Sequence, residues 1–274
     1  MTEQERKINA ALKRIATDYE RLNDRQVRFA IREIDRVRHD ITDLLADYAD
    51  KATGKITKRR LNALLRELES IEKAVRTNGM SALEDVIKES SSYTTTAVNG
   101  AMEQTLGAAA IAGVTLDVID RDVFRYVVNR FADDGLQLSD RVWRFAGEQR
   151  DELNRVLRSS IIRGDAMTQM IARVREVYAN DTWKIERLVR TEGATAQRVG
   201  EAYYAQRSDV VKALKLHEGT CGRKDHNRHR CHILAQEDRH GLGAGVFLPD
   251  DSEYFAPHPN CTSYYTYVLA DKYA

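Results

Sequence analysis

Proline is absent from the first 248 residues of this chain and cysteine from the first 220; its 274 residues hold three of each. Without proline, nothing in that length forces a helix to break. Three cysteines are too few, and odd in number, for the disulfide framework of a small secreted fold. No stretch approaches the ~20 consecutive apolar residues that cross a bilayer. The opening MTEQERKINAALKRI lacks the apolar centre of a signal peptide, so the chain is expected to begin in a reducing cytoplasm with no membrane span. Charge of one sign is not in excess either. With 43 basic side chains against 42 acidic, the formal net charge is +1, which argues against nucleic-acid binding through bulk charge and leaves a local basic face as the alternative.

What is present is mainly helical pattern. Ile8, Leu12, Ile15, Tyr19 and Leu22 recur at spacings of three and four, as do Ile34, Val37, Ile41, Leu44 and Tyr48, and then Leu61, Leu64, Leu68, Ile71 and Val75. Each set puts one apolar stripe on a helix, read here as intramolecular core. Gly54 and Asn78-Gly79 read as breaks, so residues 1–80 are expected to form an elongated helical hairpin or bundle. A second helical region should span 81–205. Ser81 and Glu84 have capping-box spacing, and the hydroxyl run Ser90–Thr96 should weaken the helix that follows. Asp120, Ser139 and Asp165 read as caps of later helices, with another over Trp183–Ala205. From about 206 to 274 the character changes: VVKALKLH, GAGVFLP and SYYTYVL are short β-rich runs between turn residues. The fold class is thus mainly α, with a small C-terminal α+β module.

That module holds what the rest lacks. Six of the seven histidines, all three cysteines and all three prolines lie between His217 and Cys261. Imidazole and thiolate are the ligands of zinc-like cations, and a module this small gains most from a metal staple. His258 and Cys261 have the H-x-x-C spacing that lets two ligands grip one ion, with Pro257 and Pro259 stiffening the loop. The preferred ligand set is Cys221, Cys231, His258 and Cys261, a structural Zn²⁺ site; His226, His229 or His232 could replace a cysteine. The bland alternative is solvated histidines and buried thiols. An enzymatic reading uses the same segment: Asp225-His226-Asn227, His229, His232, His240 and His258-Pro259-Asn260 hold the residue types of a metal-dependent nuclease. Arg190-Thr191-Glu192 sits within an amphipathic helix, where a tripeptide of this kind is by itself a solvated or capping element.

In order, the chain offers a helix start at Gly164-Asp165-Ala166-Met167, then Arg190-Thr191-Glu192, a β-like segment ending at Thr220-Cys221, the run Gly243-Ala244-Gly245-Val246-Phe247, and finally Pro257-His258-Pro259-Asn260-Cys261. This succession, over about residues 150–270, resembles the tailed-phage minor head proteins of the head morphogenesis family. Two positions depart from the family pattern. Cys231 is far from Cys221, and Cys261-Thr262-Ser263 stands where the family carries C-R-C. The resemblance implies a virion protein of the head interior, present in the host cytoplasm during assembly. Its partners would be the portal protein and the capsid or scaffolding proteins, with contact to packaged DNA and a role in head assembly or DNA delivery. It implies no catalysis, and the long charged helices would supply interaction surface. Two other classes stay open: a metal-dependent nuclease or toxin-like enzyme, and a generic helical adaptor with a zinc-binding tail. If Arg190 and Glu192 serve structure, their charges should tie the helix to the β module.

Overall fold

The computed structural model describes residues 2–219 and 226–273. Six helices and three short strands follow one another along it: α1 (Glu3–Tyr48), α2 (Lys58–Leu106), α3 (Leu116–Asn129), α4 (Leu138–Arg163), α5 (Met167–Gln206), β1 (Val211–His217), α6 (Arg230–Gln236), β2 (Val246–Phe247) and β3 (Tyr264–Leu269). The protein is mainly helical, with a small antiparallel sheet near its C-terminus, as the periodicity predicts.

The helices are longer than their sequence punctuation suggests. Asn78-Gly79 does not end a helix, and Ser81 does not begin one; both lie inside α2. A glycine inside a helix costs ~1 kcal/mol relative to alanine, which packing offsets here: the Cβ position of Gly79 lies 3.5 Å from Val142 and 3.8 Å from Ile34. The hydroxyl run does not weaken α2 either. Ser90, Ser91, Thr94 and Thr95 are fully buried, and their hydroxyls have partners. Thr94 bonds back to the Ser90 carbonyl at 2.8 Å. Ser91 and Thr95 donate to the Asp120 carboxylate at 2.6 and 3.0 Å. Asp120 is therefore a receptor for α2 hydroxyls and not the cap of α3. Asp165 likewise caps nothing and lies 3.1 Å from Arg163 and 3.2 Å from Arg173. The cap of α4 is Gln137, one turn before Asp140, which completes a capping box.

By contact the chain forms two compact units that cut across the order of the sequence. Unit 1 comprises residues 1–26, 84–133 and 187–274; unit 2 comprises 27–83 and 134–186. The divisions at 80 and 205 do not mark them, because α1, α2 and α5 are each too long for one core and contribute to two. Unit 2 buries the expected stripes: Ile41, Leu45, Leu64 and Leu68 pack with Leu153, Leu157, Met170 and Val174. Unit 1 contains the C-terminal module. Its sheet has the order β2-β1-β3, with Leu214 opposite Phe247 and Tyr267. All three β-rich runs thus become strands. The sheet is not free-standing: the Tyr267 hydroxyl donates to the Glu201 carbonyl of α5 at 2.9 Å, and the Tyr267 N–H donates to Asn9 of α1 at 2.9 Å.

Candidate metal centre

Eleven consecutive residues of α5, Glu192 through Ala202, are buried, so this half of the helix is the axis of unit 1. Small residues allow the close packing. A Cβ on Gly193 would stand 2.6 Å from the Tyr19 hydroxyl and 2.8 Å from Asn23, which fixes glycine directly after Arg190-Thr191-Glu192. Around it runs a buried polar network in which Tyr19 and Ser90 share a hydrogen bond of 3.0 Å, and Gln26 donates to Ser90 at 3.0 Å.

The three side chains of the tripeptide go three ways. Arg190 pairs with Asp24 of α1 at 2.8 Å on the surface. Glu192 is fully buried and takes both oxygens to the Arg130 guanidinium, at 2.9 and 3.0 Å, at the end of α3. Those pairs fasten the helix to α1 and α3; a tie to the β module starts from the residue between them. Thr191 makes that tie: its hydroxyl accepts the Asn260 N–H at 3.2 Å while donating to the Arg187 carbonyl at 2.6 Å. Asn260 has φ 55, a left-handed conformation that asparagine tolerates better than most residues. The turn it makes after Pro259 sets the distance between His258 and Cys261.

Arg198 holds the same loop from below. Its buried guanidinium donates to the carbonyls of Phe255 at 2.9 Å, Cys261 at 3.0 Å and Ser263 at 3.4 Å. One turn on, Glu201 is fully buried, and burial pushes its carboxyl up to about 8. Neither residue was selected from the sequence. The available signal was a charged pair, Arg198 and Glu201, within a run of Gly, Ala and Val that otherwise reads as close-packed helix.

Above this frame Cys231, His258 and Cys261 converge. One sulfur or nitrogen from each lies within 4.8 Å of the others, and among the described residues this is the group of its kind that could hold a metal ion. His258 Nε2 is 3.0 Å from Cys231 Sγ. Its Nδ1 is 2.9 Å from the Pro259 carbonyl, which places the proton on Nδ1 and leaves Nε2 as the ligand atom. Hydrogen bonding to Cys231 holds the Cys261 thiol well below its ordinary range, and Arg198 and His258 reinforce this against burial. The same sharing pushes Cys231 up. Ser263, at the position where the resemblance expects a cysteine, puts its hydroxyl 3.0 Å from Cys261 Sγ. The set is soft and part-buried. Donors around a tetrahedral zinc stand ~3.5–3.8 Å apart, given bonds of ~2.0–2.3 Å, so small side-chain adjustments would seat such an ion.

Three of the four preferred ligands thus come together; Cys221 lies outside the described residues, as do Thr220 and Asp225. Among the substitutes, His229 brings its ring to 4.8 Å from that of His258. His232 turns to Glu218 at 2.8 Å and His240 to Asp251 at 3.0 Å. His217 stacks on Tyr264 and bonds Thr266 at 2.7 Å. No helix in the described residues is long and apolar enough to cross a membrane. Comparison with protein-family models, with curated proteins and with solved structures gives no match.

Proposed function

We propose that this chain is a minor head protein of a tailed phage, an interaction protein of the portal and procapsid interior, whose C-terminal module is stapled by a structural zinc ion. The observation that carries the reading is the Thr191–Asn260 bond. The two motifs on which the resemblance rests, Arg190-Thr191-Glu192 and Pro257-His258-Pro259-Asn260-Cys261, are far apart in sequence and meet in unit 1, with two of the metal ligands, His258 and Cys261, on the second. A motif pair that builds a stapled platform needs no substrate. The sulfur-rich donor set also suits a closed zinc site better than the oxygen-rich cage of a hard catalytic cation. Zinc bound to Cys231, His258 and Cys261 would supply a covalent cross-link between α6 and the loop before β3. The fourth ligand is Cys221 or His229.

Two measurements test this. Elemental mass spectrometry should find about one zinc per chain, lost in Cys261→Ser; comparison of Cys221→Ser with His229→Ala then identifies the fourth ligand by which one weakens retention. Co-expression with the portal protein of the same phage should give a stable complex. Metal-dependent cleavage of DNA or RNA, abolished by His258→Ala, would replace this reading with the nuclease. Zinc without portal capture would leave the generic adaptor.

A further inference from the structure

Unit 2 carries positive charge that nothing inside the chain answers. From Lys51 to Arg66 the sequence has six basic residues and no acidic one, covering the α1–α2 connection and the first turns of α2. The α4–α5 turn lies at the same end, because the Met167 N–H donates to the Gly54 carbonyl at 3.0 Å. Elsewhere on this unit, surface cations stand beside carboxylates: Arg36 with Glu33 at 2.8 Å, Arg144 with Asp134 at 2.7 Å, Lys184 with Glu148 at 3.0 Å. Lys51, Lys55, Arg59, Arg66 and Arg158 are all exposed, and among the described residues none has an ion-pair partner. The neighbouring carboxylates are committed locally. Asp50 accepts the N–H groups of Ala52 and Thr53 at 3.0 and 2.9 Å, and Asp165 faces Arg163 and Arg173. Asp47 remains at the connection, and Glu67 and Glu69 follow Arg66 on α2, so the five cations outnumber the carboxylates around them.

The shape of the patch narrows the ligand. Arg59, Asn62 and Arg66 are spaced i, i+3, i+7 and share one face of α2. Asn62 and Arg66, with Asn154 and Arg158 of α4, line a groove of about 630 Å³ that also holds Glu69 and the paired Arg150 and Asp151. Guanidinium and carboxamide groups are donors to phosphate oxygens. No exposed aromatic ring stands among them to stack an unpaired base. The connecting loop exposes lysine, alanine and threonine while Ile56 is buried, so it has no aromatic or leucine anchor for a lipid surface.

We propose that this end of unit 2 binds the phosphate backbone of double-stranded DNA through Lys51, Lys55, Arg59, Arg66 and Arg158. The choice of DNA rests on the minor-head reading; the polyanion site rests on the charge itself. The test is fluorescence anisotropy of the full chain with a short labelled DNA duplex of mixed sequence across a salt series. Binding should weaken with salt, each phosphate contact contributing ~0.9 to the slope of log K against log salt. The variant Lys51→Gln/Lys55→Gln/Arg59→Gln/Arg66→Gln should bind about tenfold or more weakly at low salt and lose about 3.6 from that slope, ~0.9 for each of its four cations. Its melting temperature should match wild type, since the replaced groups have no internal partners. Absence of duplex binding by wild type, an unchanged slope in the variant, or tighter binding to vesicles of acidic phospholipid would overturn the inference. Portal capture is read separately: DNA binding without it overturns the proposed function and leaves this site standing, and the converse overturns the site alone.

Discussion

The two units differ in degree: most buried polar side chains lie in unit 1, while unit 2 buries fewer, Glu72, Arg141, Gln149, Ser160 and Asp181 among them. Unit 2 is filled by aliphatic side chains from four helical segments, with Leu64, Leu153 and Leu157 among them. Unit 1 is organised around a helix whose buried faces include Glu192, Thr195, Gln197, Arg198 and Glu201, against Ser90, Ser91, Thr94 and Thr95 of α2. An aliphatic core is non-directional and accepts many arrangements of similar volume. A polar interior is directional: each donor needs its acceptor, and in a low dielectric an orphaned group is costly. Unit 1 thus trades tolerance for position, and position is what three ligands converging on one ion require.

The sharpest way to break the comparison is at the Glu192–Arg130 pair. Both side chains are nearly or fully buried, so removing one partner leaves an uncompensated charge. Glu192→Gln should destabilise by ~3–5 kcal/mol, whereas replacing both residues with methionine should recover most of that loss. Urea unfolding of the two variants decides it. Equal damage in single and double variants would mean that the pair positions the end of α3 beyond its own charge balance.

Unit 2 should respond by volume alone. Leu157 is fully buried, so Leu157→Ala should cost ~2–5 kcal/mol through lost transfer energy and the cavity left behind. Leu157→Met should cost less than about 1.5 kcal/mol. Neither should change zinc retention, and a loss of zinc in either variant would contradict the separation of roles drawn here.

Unit 1 should also carry a pH dependence set by a buried carboxyl. The Glu201 carboxyl is held at about 8 by burial, against an ordinary value of 4.5 in an exposed chain. Below the lower value both states are protonated and the group is neutral to stability. As pH rises through the window between them the unfolded chain releases its proton first, so stability falls by ~1.4 kcal/mol per pH unit until the folded carboxyl ionises. Between about pH 6 and 8, wild type should lose about 2 kcal/mol more than Glu201→Gln. Parallel pH profiles from chemical denaturation would show that Glu201 is not the titrating group.

The same contrast explains what the sequence made legible. The stripes of α1 and α2 are visible because burial by apolar side chains leaves a period, and the β-rich runs are visible because turn residues bracket them. The continuity of α2 through Asn78-Gly79 and Ser90–Thr96 was not, because local propensity there is overridden by contacts from distant helices: Val142 against Gly79, Asp120 beneath Ser91 and Thr95. His258, Cys261 and Cys231 were legible as ligand types, since few other roles concentrate such residues. Arg198 was not, because a hydrogen bond from a side chain to a remote main-chain carbonyl leaves no mark on spacing. The tripeptide was legible, but nothing in its spacing showed that the neutral threonine between the charges touches the module.

That threonine offers the finest test of the comparison. Thr191→Val keeps the shape and β-branching of the side chain and deletes one hydroxyl, leaving the Asn260 N–H to water. Asn260 is exposed, so the stability lost should be small, ~0.5–1.5 kcal/mol. The consequence for the metal should be larger than for the fold, because Asn260 lies directly between His258 and Cys261, opposite the side that Arg198 holds. An outer contact that orients first ligands is worth about 10- to 100-fold in metal affinity. Competition with a chromogenic chelator should therefore show weaker zinc binding in Thr191→Val while its unfolding midpoint barely moves. A variant that binds zinc as tightly as wild type would show that Arg198 and the two prolines fix the loop unaided, and that the hydroxyl only fastens α5 to the module.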